Sequence, residues 1–344
     1  MTRLAEVFAV SLMVTGACSA SATLSELSTA ERRADAGDVD GSIAAYRVAQ
    51  TKCGALRPKR RAKATCASAL LGEAEVLEHA GRTRASIDAY LAIPARASDD
   101  PTTSATAVHR AGELLLREGD ETAARTALWR VISEWPDEQP AGDALRVLLE
   151  DGRHRNARAL ADQISKALTP LADHSVADNL VWSLADLHEH ELANISAARS
   201  FYDRIPVDYP KSGLRDDARW HAARLSKTLG DPQGAVDRLR ALVATREVAF
   251  GAGSYFSVWL DNAQLELGRI LRDELDDLPA AIAAFERLPK HYPASILRDD
   301  ALFELAITHA RAGDPGKACA TFAKLEKQSP QSKYLARRSE LACP

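Results

Sequence analysis

Apolar residues recur along this chain at spacings of three and four, the period of one buried helical face. The clearest instance runs from Leu297 to Pro330. Leu302, Leu305, Ala306 and His309 share one face of a first predicted helix, and Ala318, Phe322 and Leu325 share one face of a second. Between them, Gly313-Asp314-Pro315 reads as a tight turn. Glycine takes the left-handed backbone that ends a helix, and aspartate before proline caps the next one. Small Ala306 and Ala318 let the two backbones approach, and Phe322 fills the space that remains. A hairpin this short cannot bury its apolar face alone.

The same pattern predicts hairpins from the start of the chain. From Leu24, a first turns at Gly37-Asp38 and carries Ala30, Tyr46 and Ala49 inward. A basic connector, Thr51 to Lys63, follows, where Pro58 stops any continuing helix. A second hairpin holds Ala74, Leu77, Gly81, Tyr90 and Ile93, and a third Gly112, Leu115, Gly119, Ala124, Leu128 and Val131. A fourth holds Leu145, Gly152, Ala157, Ala161 and Ile164 and stops at Thr169-Pro170. Beyond Ser175 the chain is duplicated at an offset of 83 residues (Pro210 to Pro293). Leu214-Arg215-Asp216-Asp217-Ala218 returns as Leu297-Arg298-Asp299-Asp300-Ala301, and Gly230-Asp231-Pro232 as Gly313-Asp314-Pro315. Between the copies, Gly251 to Trp259 is too rich in Gly and Ser for an ordinary helix. Repetition of this kind predicts an all-α solenoid of about eight hairpins forming a superhelix.

The residues resemble the tetratricopeptide repeat family, whose unit is about 34 residues long with a small–small–aromatic–Pro signature. Leu302, Leu305, Ala306, Gly313, Ala318, Phe322 and Pro330 match it in the last unit. Leu267, Gly268, Ala281, Phe285, Leu288 and Pro293 match in the unit before, and Leu184, Ala185, Ala198, Tyr202, Ile205 and Pro210 in an earlier one. Those two units carry one extra residue in the turn. The large aromatics of the family's first helix are mostly absent, and His309 stands where a Tyr is usual.

Composition adds the compartment. The 344 residues are 46% hydrophobic and 27% charged, with a net charge of −4, which gives no general basic footprint for nucleic acid. No apolar run approaches the length of a mature membrane-spanning helix. Val7 to Val14 is a short apolar core after Arg3, and Thr15-Gly16-Ala17-Cys18 resembles a bacterial lipobox. That resemblance implies a signal peptide over residues 1–17, acyl chains on Cys18 and a tether over 18–23. Repeats then occupy 24–170, and the duplicated half with a capping helix occupies 171–344. In an exported chain the other four cysteines are expected as Cys53–Cys66 and Cys319–Cys343 bridges, the alternative being four buried or free thiols. The second bridge would staple a short helix, Lys333 to Ala342, over the open apolar end of the solenoid.

Catalytic chemistry finds no constellation. His188-Glu189-His190-Glu191 begins like a zinc-protease motif, but Leu192 stands where its second histidine belongs, so a solvated helix end is expected. No glycine-flanked serine, phosphate loop or CxxC is present, and no cofactor or metal is expected. The pairs Asp216-Asp217 and Asp299-Asp300 are expected to cap helix starts. Two features are candidates for partner binding. Arg57, Lys59, Arg60 and Arg61 lie with Lys63 in the basic connector, and Tyr255, Phe256 and Trp259 in or beside the Gly/Ser-rich linker. Solvated loop and core packing are the respective alternatives. Across the mature chain the sequence is similar to exported tetratricopeptide lipoproteins of bacterial envelopes. Its C-terminal third resembles the Tol–Pal accessory family, and the lipid-anchored repeats look like the accessory lipoprotein of the outer-membrane β-barrel assembly machine. These resemblances imply a non-enzymatic scaffold facing the periplasm from the outer membrane, holding protein partners in a helical groove. The other reading is an accessory subunit of an envelope enzyme complex.

Overall fold

The computed structural model describes residues 24–53, 60–245, 257–341 and 343, with only the backbone for 60–63. Among the described residues all regular structure is helical. A first helix, α1 (24–35), precedes α2 (Val39–Cys53), α3 (Arg60–His79), α4 (Thr83–Arg96), α5 (Pro101–Arg117), α6 (Glu121–Glu134) and α7 (Gln139–Leu171). Then come α8 (Ala177–His190), α9 (Ile195–Asp208), α10 (Arg215–Thr228), α11 (Pro232–Ala244), α12 (Leu260–Asp273), α13 (Leu278–His291), α14 (Arg298–Arg311) and α15 (Pro315–Gln328). A 3-10 helix, Lys333–Leu341, closes the chain. Successive helices pair as antiparallel hairpins, the TPR-like solenoid arrangement. The chain forms two compact units, Met1–Asn179 and Leu180–Pro344.

Capping and turn chemistry explain why the helices begin and end where they do. Asp120, Asp231 and Asp314 each accept a hydrogen bond from the backbone N–H three residues on, at 2.9–3.2 Å. The glycines before them have φ between 72° and 82°, which no residue with a Cβ adopts without strain. In the two hairpins with an extra turn residue the device changes. Ala193 (φ 49°) and Asp276 (φ 52°) take the left-handed position, and Asn194 and Asp277 cap the following helix. The fourth hairpin turns inside α7, where Asn156 leaves helical geometry (φ −158°, ψ 77°) and accepts from Ala159 N–H. The basic connector is shorter than expected, because α2 runs to Cys53 and α3 already starts at Arg60.

The core repeats with the hairpins. Tyr202, Phe285 and Phe322, at matching positions of the second helices α9, α13 and α15, are fully buried or nearly so, and Leu239 holds that position in α11. Phe285 lies opposite Gly268 of the first helix, and Phe322 packs in one cluster with Ala306. A Cβ added to Gly268 would meet the Phe285 ring at 2.5 Å, so glycine is required there. At the C-terminus, Tyr334 and Leu341 of the 3-10 helix bury themselves against Leu302, Phe303, Phe322 and Leu325. A short helix over Lys333 to Ala342 was expected there, and the segment is a 3-10 helix, Lys333–Leu341.

Candidate functional site

Within each unit the first helices of consecutive hairpins are tied by ion pairs. Glu78 of α3 accepts from Arg110 and Arg117 of α5. Burial raises the Glu78 pKa, but these hydrogen bonds outweigh it and hold the carboxyl below its ordinary range. In the C-terminal unit Glu189 of α8 pairs with Arg224 and His221 of α10. Lys227 of α10 reaches Glu266 of α12 at 2.7 Å, and Arg269 and Arg272 of α12 reach Glu304 of α14 at 2.9 and 2.6 Å. That face of the hairpins is thus largely neutralised from within.

Glu189 corrects one expectation. Its side chain is only 7% exposed, although a solvated helix end was predicted. The residue faces α10, where an arginine and a histidine receive it. The paired aspartates correct another. Leu214 and Leu297 occupy the N-cap positions, and neither helix has a side-chain cap. Asp217 instead accepts from the Trp259 indole N–H at 2.6 Å, and Asp300 from the Tyr334 hydroxyl at 2.5 Å. Asp299 accepts from Ser332 at 2.7 Å. One turn into a helix, these carboxylates point at the next element, so they join hairpins while still favouring the helix dipole.

The other face carries two grooves of the same construction. One, of about 380 Å³, lies between α11 and α13 with Gln264, Leu267 and Leu271 of α12 as its floor. The second, of about 680 Å³, lies between α13 and α15 with Leu302, Leu305 and His309 of α14 as its floor. Each floor residue of the second is the counterpart of one in the first, 38 residues on (Gln264 to Leu302). Gln264 is satisfied, donating to the Ala284 carbonyl at 2.9 Å. His309 is 6% exposed and makes no side-chain hydrogen bond with the described residues. On the walls stand Arg240, Arg287 and His291 in the first groove and Lys290, Arg298 and Lys324 in the second, with Glu286 the acidic residue among the linings.

The predicted site residues are distributed as follows. Cys18, Arg57, Lys59, Tyr255 and Phe256 lie outside the described residues. Arg60 and Arg61 open α3, and their side chains also lie outside. Trp259 stacks on Trp220, with centroids 5.0 Å apart and planes 11° apart, and spends its N–H on Asp217. Cys53 and Cys66 are paired with Cα atoms 5.6 Å apart, and Cys319 and Cys343 with Cα atoms 5.4 Å apart. Among the described residues no three His, Cys, Asp or Glu side chains gather as a metal would require, and no helix is long and apolar enough to cross a membrane. Sequence reasoning expected a helical groove but did not place it or name its lining. Its signal was the loss of the large first-helix aromatics, visible at His309.

The family model for the tetratricopeptide repeat matches residues 262–295 and 300–332. Those two segments are tetratricopeptide repeats. They comprise α12 with α13 and α14 with α15, which form both grooves together with α11. Repeats of this kind make a scaffold suited to protein–protein interaction. Comparison with curated protein sequences finds no match. Among solved structures the chain is similar to YrrB, described as a TPR protein with an unusual peptide-binding site. That similarity has 16% identity and a TM-score of 0.42, covering 62% of this chain and 97% of that one. It is also similar to a Podosopora anserina putative kinesin light chain with nearly identical TPR-like repeats (15%, TM-score 0.39, 56% and 95% covered). MamA is a third (15%, TM-score 0.35, 68% and 94% covered).

Proposed function

We propose that the protein is a non-enzymatic interaction scaffold of the bacterial cell envelope, tethered by a lipid on Cys18 and facing the periplasm. The observation that carries the scaffold reading is the pair of equivalent grooves flanking α13, whose floors are shaped by repeat packing and whose walls carry recognition groups. Export is supported by the cysteine pairs Cys53–Cys66 and Cys319–Cys343, since disulfides persist in oxidising compartments. In this reading the protein holds partner segments during cell-wall and division coordination or outer-membrane assembly, and catalyses nothing itself.

The test is expression of the full chain in a bacterial host with labelled palmitate, followed by fractionation and crosslinking in the envelope. Label on the wild type, its loss in Cys18→Ala and a shift of that variant out of the membrane fraction are the expected results. An unlabelled wild type whose fractionation the variant does not change would remove the anchor from the proposal. Co-purification with a catalytic protein at fixed stoichiometry would favour the role of an enzyme's accessory subunit.

A further inference from the structure

Of the six described cations of the C-terminal unit that meet no carboxylate, four line the grooves beside α13, the others being Lys211 and Lys327. Arg199, Arg204, Arg224, Lys227, Arg238, Arg269, Arg272 and Arg311 all have carboxylate partners within the chain. Arg287, Lys290, Arg298 and Lys324 make no ion pair or side-chain hydrogen bond with the described residues, and all four line the grooves. Arg287 and Lys324 hold the same place in successive repeats, since Ala281 and Ala318 are the matching small residues of α13 and α15. Cations left unpaired at matching positions, above apolar floors, supply charge complementarity to an anionic chain with apolar side chains. His309 places an imidazole in the floor of the groove that carries three of these cations.

We infer that these grooves dock an acidic peptide segment of a protein partner, its apolar side chains entering beside Leu271 and Leu305 and its carboxylates meeting Arg287, Lys290, Arg298 and Lys324. The inference deepens the scaffold reading and rests on it. A volume of about 680 Å³ accommodates several side chains of such a segment. The ion-paired face offers an acidic chain less, because its arginines would first have to leave their own carboxylates.

The experiment uses the full chain and two fluorescent peptides of about a dozen residues, one alternating Glu with Leu and Phe, the other with Gln in place of every Glu. The acidic peptide should bind at least tenfold more tightly than the Gln peptide and weaken as salt rises. The double variant Arg287→Glu/Lys324→Glu, altered only at exposed positions, should keep the wild-type circular dichroism and lose at least tenfold in affinity. His309→Ala should weaken the acidic peptide selectively. Equal binding of the two peptides, no binding of either, or an unchanged affinity in the double variant would overturn the inference. So would a self-association, or an attachment to vesicles containing phosphatidylglycerol, that the double variant abolishes, since a second copy or a lipid surface would then be the occupant. Envelope partners that crosslink equally well to the double variant would overturn the groove assignment and leave the scaffold reading standing.

Discussion

Two joints in the C-terminal unit share one plan and end differently. In the first, Trp259 stacks on Trp220 of α10 and donates to Asp217. In the second, Tyr334 stacks on Phe303 of α14, with centroids 4.4 Å apart, and donates to Asp300. Trp220 and Phe303, like Asp217 and Asp300, are equivalent under the duplication. The first joint seats a complete repeat, which brings its own buried face. The second seats only a nine-residue 3-10 helix. It adds what the repeat would have supplied: Arg337 lies 4.4 Å over the Phe303 ring, Ser332 reaches Asp299, and Cys343 ties the end to Cys319 of α15. A solenoid end needs a cover, and a short segment serves only when covalent and polar ties replace missing apolar area.

Breaking the aromatic stack should have the largest effect. Phe303 is 2% exposed, so Phe303→Ala should cost about 3–5 kcal/mol, whereas Trp220→Ala should cost less because that ring is only partly buried. Hydrogen exchange over α14, α15 and the 3-10 helix should rise in the first variant, and protection that stays unchanged there would show that the cap does not depend on the stack. Next comes the covalent tie. Closing 24 residues of chain contributes roughly 3 kcal/mol in the loop-entropy account. Cys319→Ala/Cys343→Ala should therefore lower the urea midpoint and free the cap while the α10–α12 joint keeps its protection.

The hydrogen bonds sharpen the comparison further. Trp259→Phe and Tyr334→Phe each remove a donor from a carboxylate, at about 1–3 kcal/mol. Asp300 retains Lys333 at 3.5 Å, so the tyrosine change should be the milder of the two in chemical unfolding. Equal losses would mean that Lys333 does not compensate. The smallest effect is that of pH. Burial beside Tyr202 and Trp182 pushes the His221 pKa below its ordinary 6.5, against the opposing pull of Glu189. A depressed histidine is neutral when folded, so its contribution is present above pH 6.5 and is lost as the pH falls from there through the folded value. The urea midpoint should drop as the pH falls below 6.5, and His221→Gln should flatten that drop. A variant with the same drop as wild type would assign the acid sensitivity to other groups.

The hairpins were legible in the amino-acid sequence alone. Apolar spacing, the Gly-Asp turns and the 83-residue duplication were enough, because helix periodicity and capping act between residues close in the chain. A short helix over Lys333 to Ala342 was expected from the sequence, and the structure has a 3-10 helix over Lys333–Leu341. Contacts between hairpins were not legible. Asp217 and Asp300 read as helix caps, and only packing showed them facing Trp259 and Tyr334 in the next element. Trp259 stood out in sequence as a candidate contact for a partner, yet its ring and its N–H meet Trp220 and Asp217. The grooves show the same division. His309 in place of a tyrosine was visible from the start, but whether the lost bulk closes up or leaves a cleft depends on how near α13 and α15 come to α14. That distance is set by side chains from three helices together, and no single helix encodes it.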